Sequence, residues 1–366
     1  MAYQPYNDRV KALSKVDSLR AAGACVISDG AMGNERQALA LTGAMQLAPN
    51  VQRIVLRPPW RWFSPGFVHG SSLAIARRQW RELSAPWPAL AIGCGRHAAL
   101  LTRKLREASD GATFTVQILD PRIDPKYFDL VITPRHDALE AQNVIQTLGS
   151  LNPVDDAWLD RAAAEFSTLQ QLPRPRTVLL VGGPRRGLDL DDDWLDALIA
   201  EIERWRARDG GSLLITTSRR TPSIWRTRLR NAFRNGCTCF WGGNEDGVNP
   251  YAGYLAVADR IVVTPDSVNM LSEACATGVP VFTSLLGAAP AKLAAFHAEL
   301  SDQGWLHDIH VDISTLRQVA PLREIAAVAS KVWHRIEATR PDVAVAMDKS
   351  GVDNINTIPA GTVEKI

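Results

Sequence analysis

The segment RIVVTPDSVNMLSEACATGVPVF, residues 260–282, decides how this chain reads. A short apolar run, Arg260–Val263, stops at the polar turn Thr264-Pro265-Asp266-Ser267. Small and apolar residues at helical spacing then carry Val268–Thr277, and a second apolar run follows at Val279–Phe282. Two strands joined by a helix predict a parallel pair with a crossover connection. The strands are apolar throughout rather than alternating, as expected when both faces of a sheet are covered.

The same unit repeats outward in both directions. Toward the N-terminus the spacing predicts strands at Ala24–Ser28, Arg53–Leu56, Leu90–Gly93, Phe114–Leu119 and Asp129–Thr133, with helices at Asn34–Met45 and His97–Glu107. Nearer the opening segment it predicts strands at Thr177–Val181, Ser212–Thr216 and Thr238–Trp241, with helices at Asp191–Ala207, Ile224–Asn235 and Tyr251–Ala258. Between the two series a helix at Asp155–Gln171 ends in the Pro/Arg-rich Leu172–Arg176, which reads as a linker. A last helix is expected at Leu322–Thr339. The expected organisation is an N-terminal Rossmann-like unit over 1–171, a C-terminal one over 172–340 and a loosely held tail over 341–366. Two open α/β units face each other across a cleft. Ligands of such sheets sit at the carboxyl ends of the strands, which makes the residues just after each strand the ones to read.

Composition narrows the classes. The chain has 366 residues, 46% of them apolar and 22% charged, and 41 basic against 39 acidic residues leave +2. No broad cationic surface for nucleic acid is implied. Five scattered cysteines, Cys25, Cys94, Cys237, Cys239 and Cys275, form no disulfide framework and fit a reducing compartment. The first residues lack the apolar core of a secretory signal, and no apolar run reaches the ~18 residues a span needs. A cytoplasmic, soluble protein is expected. No zinc-like spacing is present; Cys237 and Cys239 fit alternate packing on a strand, so no metal is expected.

The polar residues gather at the strand ends. After the first strand comes Ser28-Asp29-Gly30-Ala31-Met32-Gly33-Asn34, whose glycines admit a ligand to the backbone, while Asp29 or Asn34 could instead cap the helix. Gly95 and Arg96 follow another strand, Gln117 ends the next, and His136 and Asp137 follow the one after. His136 between Arg135 and Asp137 suits a general base, or a structural histidine bonded to a nearby carbonyl. In the second unit, Gly182-Gly183-Pro184-Arg185-Arg186 and Ser218-Arg219-Arg220 place guanidinium groups where phosphate oxygens would be met. At the opening segment, Asp266, Ser267, Val268 and Asn269 start a helix whose free N–H groups suit a diphosphate, and Glu273 follows on a nearby face. Capping by Asp266 or Ser267 accounts for the turn but not for Glu273 in an apolar stretch.

The runs SDGAMGNERQA, QILDPR, FDLVITPRHD, NVIQTLGS, TTSRRTP, NPY and VTPDSVNMLSEACATGVPV occur in this order from about Ala24 to Gly304. Together they resemble the plant mitochondrial fission factors named for elongated mitochondria, and their bacterial relatives. The resemblance implies a GT-B-like architecture. The stretch around Ser267 and Glu273 is similar to the donor-site helix of GT-B glycosyltransferases. That likeness implies Ser267, Val268 and Asn269 at the diphosphate and Glu273 at the ribose, with Gly182, Gly183, Arg219 and Arg220 completing the pocket. Plant members are described as adaptors recruiting a dynamin-like GTPase to the outer mitochondrial membrane. A bacterial, cytoplasmic relative is expected.

Three functions follow as expectations. The first is metal-independent transfer of a hexosyl or N-acetylhexosaminyl group from a nucleotide-diphosphate sugar, needing no cofactor, with Asp29 and then His136 as candidate bases. The second is a nucleotide-sugar epimerase using the same donor residues. The third is a non-catalytic adaptor that recruits a partner protein to a membrane. Pro58-Pro59-Trp60-Arg61-Trp62-Phe63-Ser64-Pro65-Gly66-Phe67 suits either a lipid-linked or envelope acceptor or peripheral membrane contact through Trp60, Trp62 and Phe63, or packing beneath the first unit.

Overall fold

The computed structural model describes residues 23–284 and 289–343. Two six-stranded sheets, all strands parallel, form its frame. The first holds β1 (Ala24–Ser28), β2 (Asn50–Arg53), β3 (Leu90–Cys94), β4 (Phe114–Ile118), β5 (Leu130–Pro134) and β6 (Val144–Thr147) in the order β2-β1-β3-β4-β5-β6. The second holds β7 (Arg176–Val181), β8 (Ser212–Thr217), β9 (Thr238–Trp241), β10 (Arg260–Val263), β11 (Val281–Thr283) and β12 (Leu306–Asp308) in the order β12-β11-β10-β7-β8-β9. The longer helices are α1 (Met32–Ala44), α2 (Arg96–Ala108), α3 (Asp156–Glu165), α4 (Asp192–Asp209), α5 (Ser223–Ala232), α6 (Tyr251–Val257), α7 (Val268–Cys275), α8 (Ala291–Asp302) and α9 (Ile325–Thr339).

The central strands are buried along their whole length: β1, β3, β4 and β5 in the first sheet, β8 and β10 in the second. Each fully buried Leu, Ile, Val or Phe contributes roughly 1.5–3 kcal/mol, so these runs fix which segments become strands. The two strands with no counterpart in the sequence pattern, β6 and β12, both lie at sheet edges. An edge strand is covered less, and β6 (VIQT) and β12 (LHD) carry too little apolar pattern to announce themselves.

Chain order and packing part company at two helices. By sequence α3 closes the first unit, yet Trp158 and Leu159 pack against the core of the second sheet. Conversely α9, by sequence the end of the second unit, buries Val328, Ala329, Val332 and Ile336 against the core of the first. A helix settles on whichever apolar surface lacks cover, whatever its place in the sequence. The expected tail lies outside the described residues from residue 344 onward.

Each sheet contains one point where the winding reverses. In the first the chain leaves β1 toward β2 on one side and β3 on the other; in the second it reverses between β7 and β10. The carboxyl ends of strands at such points are where open α/β sheets bind ligands. Contacts between α1 and α7 bring the two points face to face across the cleft. The architecture is GT-B-like: two Rossmann-like units with opposed carboxyl ends. Among the described residues no helix is long and apolar enough to cross a membrane.

Candidate functional site

On the first side of the cleft, β1 delivers Asp29. Its Oδ1 accepts the Ala31 N–H at 3.1 Å, and its Oδ2 lies 3.7 Å from Nδ1 of His97, the second residue of α2. The N-cap of α1 is Ala31, with no side chain bonding the helix start, so neither Asp29 nor Asn34 caps it. Asn34 instead leans on Gly95, where a Cβ would stand 2.5 Å from Nδ2; glycine there also accommodates φ +84°. Arg96 bonds the Arg61 carbonyl at 3.3 Å and lies 3.1 Å from Nε2 of His97. Gly30 is open to solvent.

Gln117 departs from its expected place lining the cleft. It is fully buried, and its Nε2 donates to the carbonyls of Gly95 at 3.2 Å and Ile118 at 2.8 Å. It props the turn after β3 from below, because a side chain pointing into a covered face of β4 cannot reach solvent.

On the second side, the Gly-rich turn after β7, the turn after β8 and the Asp266 loop form one knot. Asp266 is buried and accepts from the Thr264 hydroxyl at 2.6 Å, the Arg220 guanidinium at 2.6 Å and the Gly183 N–H at 3.2 Å. A Cβ on Gly182 would overlap the Asp266 carboxylate, and one on Gly183 the Arg220 carbonyl. Both glycines therefore answer to loop packing rather than to a ligand's approach. Ser218 turns inward too, its Oγ accepting the Arg220 N–H at 3.1 Å. Arg185 reaches the Asp266 carbonyl at 3.3 Å. Arg219 and Arg186 stand exposed.

The segment 264–277 becomes a turn and the whole of α7. Ser267 is its N-cap and accepts the Met270 N–H, while Val268 and Asn269 occupy the first helical positions, whose N–H groups have no acceptor within a helix. Asn269 presses on Gly33 of α1. Glu273 is 5% exposed and is held from both sides of the cleft. Arg36 of α1 pairs with its Oε1 at 2.9 Å, and the Tyr251 hydroxyl donates to its Oε2. Burial, then the Glu273 charge, pushes the Tyr251 hydroxyl well above its ordinary pKa, and Glu273 raises Arg36. Both donors keep their protons at neutral pH.

His136 sits apart from Asp29. It packs on Phe296 of α8 with ring centroids 5.2 Å apart, its Nδ1 buried without a partner. Burial, foremost, lowers its pKa. Two ion pairs flank it and tie the turn after β5 to α8: Arg135–Glu299 at 2.9 Å and Asp137–Lys292 at 2.8 Å. His136 thus sits at the contact between the turn after β5 and α8. His97, Arg36 and Tyr251 have no assigned role in the sequence reading. His97 adjoins Arg96 at a strand end, a signal that was present. Nothing local ties Arg36 or Tyr251 to Glu273. Among the described residues no cluster of three or more His, Cys, Asp or Glu could hold a metal ion, and all five cysteines are free.

The family model described as Mitochondrial fission ELM1 matches residues 32–336, from the start of α1 into α9. The chain belongs to this family. It is 32% identical over 282 residues to the Mitochondrial fission protein ELM1 of Arabidopsis thaliana, covering 69% of this chain and 64% of the plant protein. The match thus spans less than two thirds of that relative's length. A second relative, RP120 of Rickettsia prowazekii (strain Madrid E), is 25% identical over 293 residues, covering 70% of this chain and 81% of that one. Among solved structures, S. aureus MnaA in a co-structure with UDP is similar with a TM-score of 0.48 at 11% identity, covering 90% of this chain and 91% of that one. The family match begins just after Asp29 and Gly30 and covers α1 and all of α7.

Proposed function

We propose that the cleft binds a nucleotide-diphosphate sugar and transfers its sugar to an acceptor without a metal. The observation that carries this reading is the confrontation of the two reversal points. The start of α7, with two N–H groups lacking a helical acceptor, meets α1, and a buried carboxylate, Glu273, stands beside them.

In this reading the diphosphate lies at Val268 and Asn269, where the helix dipole and the exposed Arg219 and Arg186 stabilise the charge that grows as the sugar departs. Glu273 accepts the ribose hydroxyls once Arg36 releases it, so binding and rearrangement of the cleft are coupled. Asp29 takes the acceptor proton, oriented by the Ala31 N–H and His97. His136, held against α8, has no part in the transfer. An epimerase would share the nucleotide contacts and differ on the Asp29 side.

A second reading has a specific observation in its favour. Gly182, Gly183, Asp266 and Arg220 satisfy one another, and Glu273 is already paired. A closed, self-satisfied cleft suits an adaptor that kept the fold without the chemistry. A thermal-shift titration with UDP, GDP, CMP and their sugar conjugates, beside Glu273→Gln, separates the two. Ligand at ~100 times its dissociation constant adds about 2.7 kcal/mol. A shift for one nucleotide that Glu273→Gln abolishes is the expected result; no shift with any of them in a folded sample leaves the adaptor.

A further inference from the structure

The loop between β2 and β3 bears the largest run of exposed apolar side chains on the described surface. Val55, Trp62, Phe63 and Leu73 are each more than 60% exposed, and Phe67 is 40% exposed. They form one patch: the Phe63 and Phe67 rings meet edge-on at 6.5 Å, and the Arg57 N–H bonds the Ala74 carbonyl at 2.8 Å, laying residues 55–57 beside Leu73. Trp60, expected from sequence to share in the contact, is half-buried at its edge, its ring centroid 6.4 Å from that of Phe67. Its indole donates to the His69 carbonyl at 2.9 Å and its ring packs on the core beneath. Trp60 is thus the anchor that makes the loop rigid, and Trp62 and Phe63 are what it displays.

The charge around this patch is one-sided. From Arg36 through Arg81 the chain contains no Asp or Glu, in a protein whose total balance is only +2. Arg36 and Arg53 are paired with Glu273 and Glu35, which leaves arginine at 57, 61, 77, 78 and 81 in the loop itself. Arg57, Arg61 and Arg77 are exposed; Arg78 is exposed too and pairs with Glu82 at the margin, at 3.3 Å. Projecting aromatic side chains with exposed arginines in the same loop complement a surface that is apolar a few ångströms down and anionic on top. A protein partner of ordinary composition would offer both signs of charge and would not require so one-sided a rim.

We infer that this loop docks the protein on an anionic phospholipid bilayer, with Trp62, Phe63 and Phe67 entering the headgroup boundary and the arginines meeting lipid phosphates. The loop also touches the candidate site, since Arg96 at the start of α2 bonds the Arg61 carbonyl. Docking by this face holds the Asp29 side of the cleft near the bilayer. On the transferase reading proposed above, and only on it, the acceptor is then a molecule carried in that bilayer.

Flotation of the full chain with vesicles of phosphatidylcholine alone, and with added phosphatidylglycerol, tests the docking without any nucleotide. Binding is expected only to the anionic vesicles, and should fall as salt rises. Trp62→Ser with Phe63→Ser should weaken it at least ~tenfold, and Arg57→Glu should weaken it about fivefold or more. Wild-type protein that stays off anionic vesicles at low salt overturns the proposal. So does binding untouched by the Trp62/Phe63 substitutions, and so does capture of a protein partner through these residues in place of lipid. Should the aromatic pair disturb folding, Arg57→Glu decides the matter alone, and vesicle binding at wild-type strength in that variant overturns the proposal. Nucleotide binding, measured by thermal shift on the same variants, is expected unchanged; its absence in wild type would sink the transferase reading while leaving the docking result standing.

Discussion

The two reversal points use similar residues and differ in how those residues are spent. At the second, between β7 and β10, the buried polar groups that looked ready for a ligand are answered inside the protein. Asp266 accepts from Thr264, Arg220 and Gly183, and two glycines leave no room for a Cβ. At the first, between β1 and β3, Asp29 makes one local bond and a 3.7 Å approach to His97, and Gly30 has open space around it. The second is bonded within itself, whereas the first leaves Asp29 and Gly30 less engaged. Polar residues at a strand end are therefore not equivalent: their mutual bonding shows which of them hold the loop.

Substitutions can break this contrast or sharpen it. The largest effect is expected at Gly183→Ala, whose Cβ would overlap the Arg220 carbonyl, a backbone atom that cannot step aside. A loss of ~3 kcal/mol or more is expected, against about 1 kcal/mol for Gly30→Ala, where space is free and only the positive φ resists. Urea unfolding of both variants measures the difference, and equal losses would erase the contrast.

Next in size is the pH response of His297. This residue of α8 lies beneath the second point, one ring nitrogen bonded to the Pro265 carbonyl and its Nε2 buried without a partner. Burial pushes its pKa from 6.5 down to about 4. The unfolded chain takes up the proton first, so its contribution is complete above pH 6.5 and is lost as pH falls toward 4. The difference amounts to about 3 kcal/mol at most. In His297→Gln the decline of stability over that window should be shallower; an unchanged slope would place the acid sensitivity elsewhere.

Arg36→Ala leaves the buried Glu273 carboxylate with Tyr251 as its hydrogen-bond donor. A loss of about 1–2 kcal/mol is expected, limited because the guanidinium is partly exposed. Small-angle scattering should show a wider cleft in the variant; an unchanged profile would mean that the ion pairs at α8 keep it shut unaided. Asp29→Asn should change stability least, within ~0.5 kcal/mol; on the proposed transferase reading it should also lower sugar transfer ~10²–10⁴-fold. A stability loss matching that of the second point would make Asp29 another structural carboxylate.

Most of the frame is legible in the sequence because central parallel strands must be apolar along their length. β1, β9 and β10 have the expected limits, and β3, β4, β5, β7 and β8 agree within a residue or two. Legibility fails at three of the four edges, where burial imposes less; β9, the fourth, still announces itself through its Thr-Cys-Phe-Trp run. β2 lies at Asn50–Arg53 rather than Arg53–Leu56, and β6 and β12 leave no clear pattern. Helix α8 is hidden as well, its residues blending into the apolar stretch that follows β11. At the site, the sequence singles out Asp29 and Glu273 but not the partners that hold them.

The sequence by itself determined two doubly wound units, their strand ends and the polar residues there, because those properties follow from local apolar runs and turn chemistry. Tertiary structure alone decided that α3 and α9 pack on each other's units, that Gln117 faces inward, and that Arg36 and Tyr251 meet Glu273. Each of these depends on which surfaces and charges are brought together by segments far apart in the chain, and no local pattern records that.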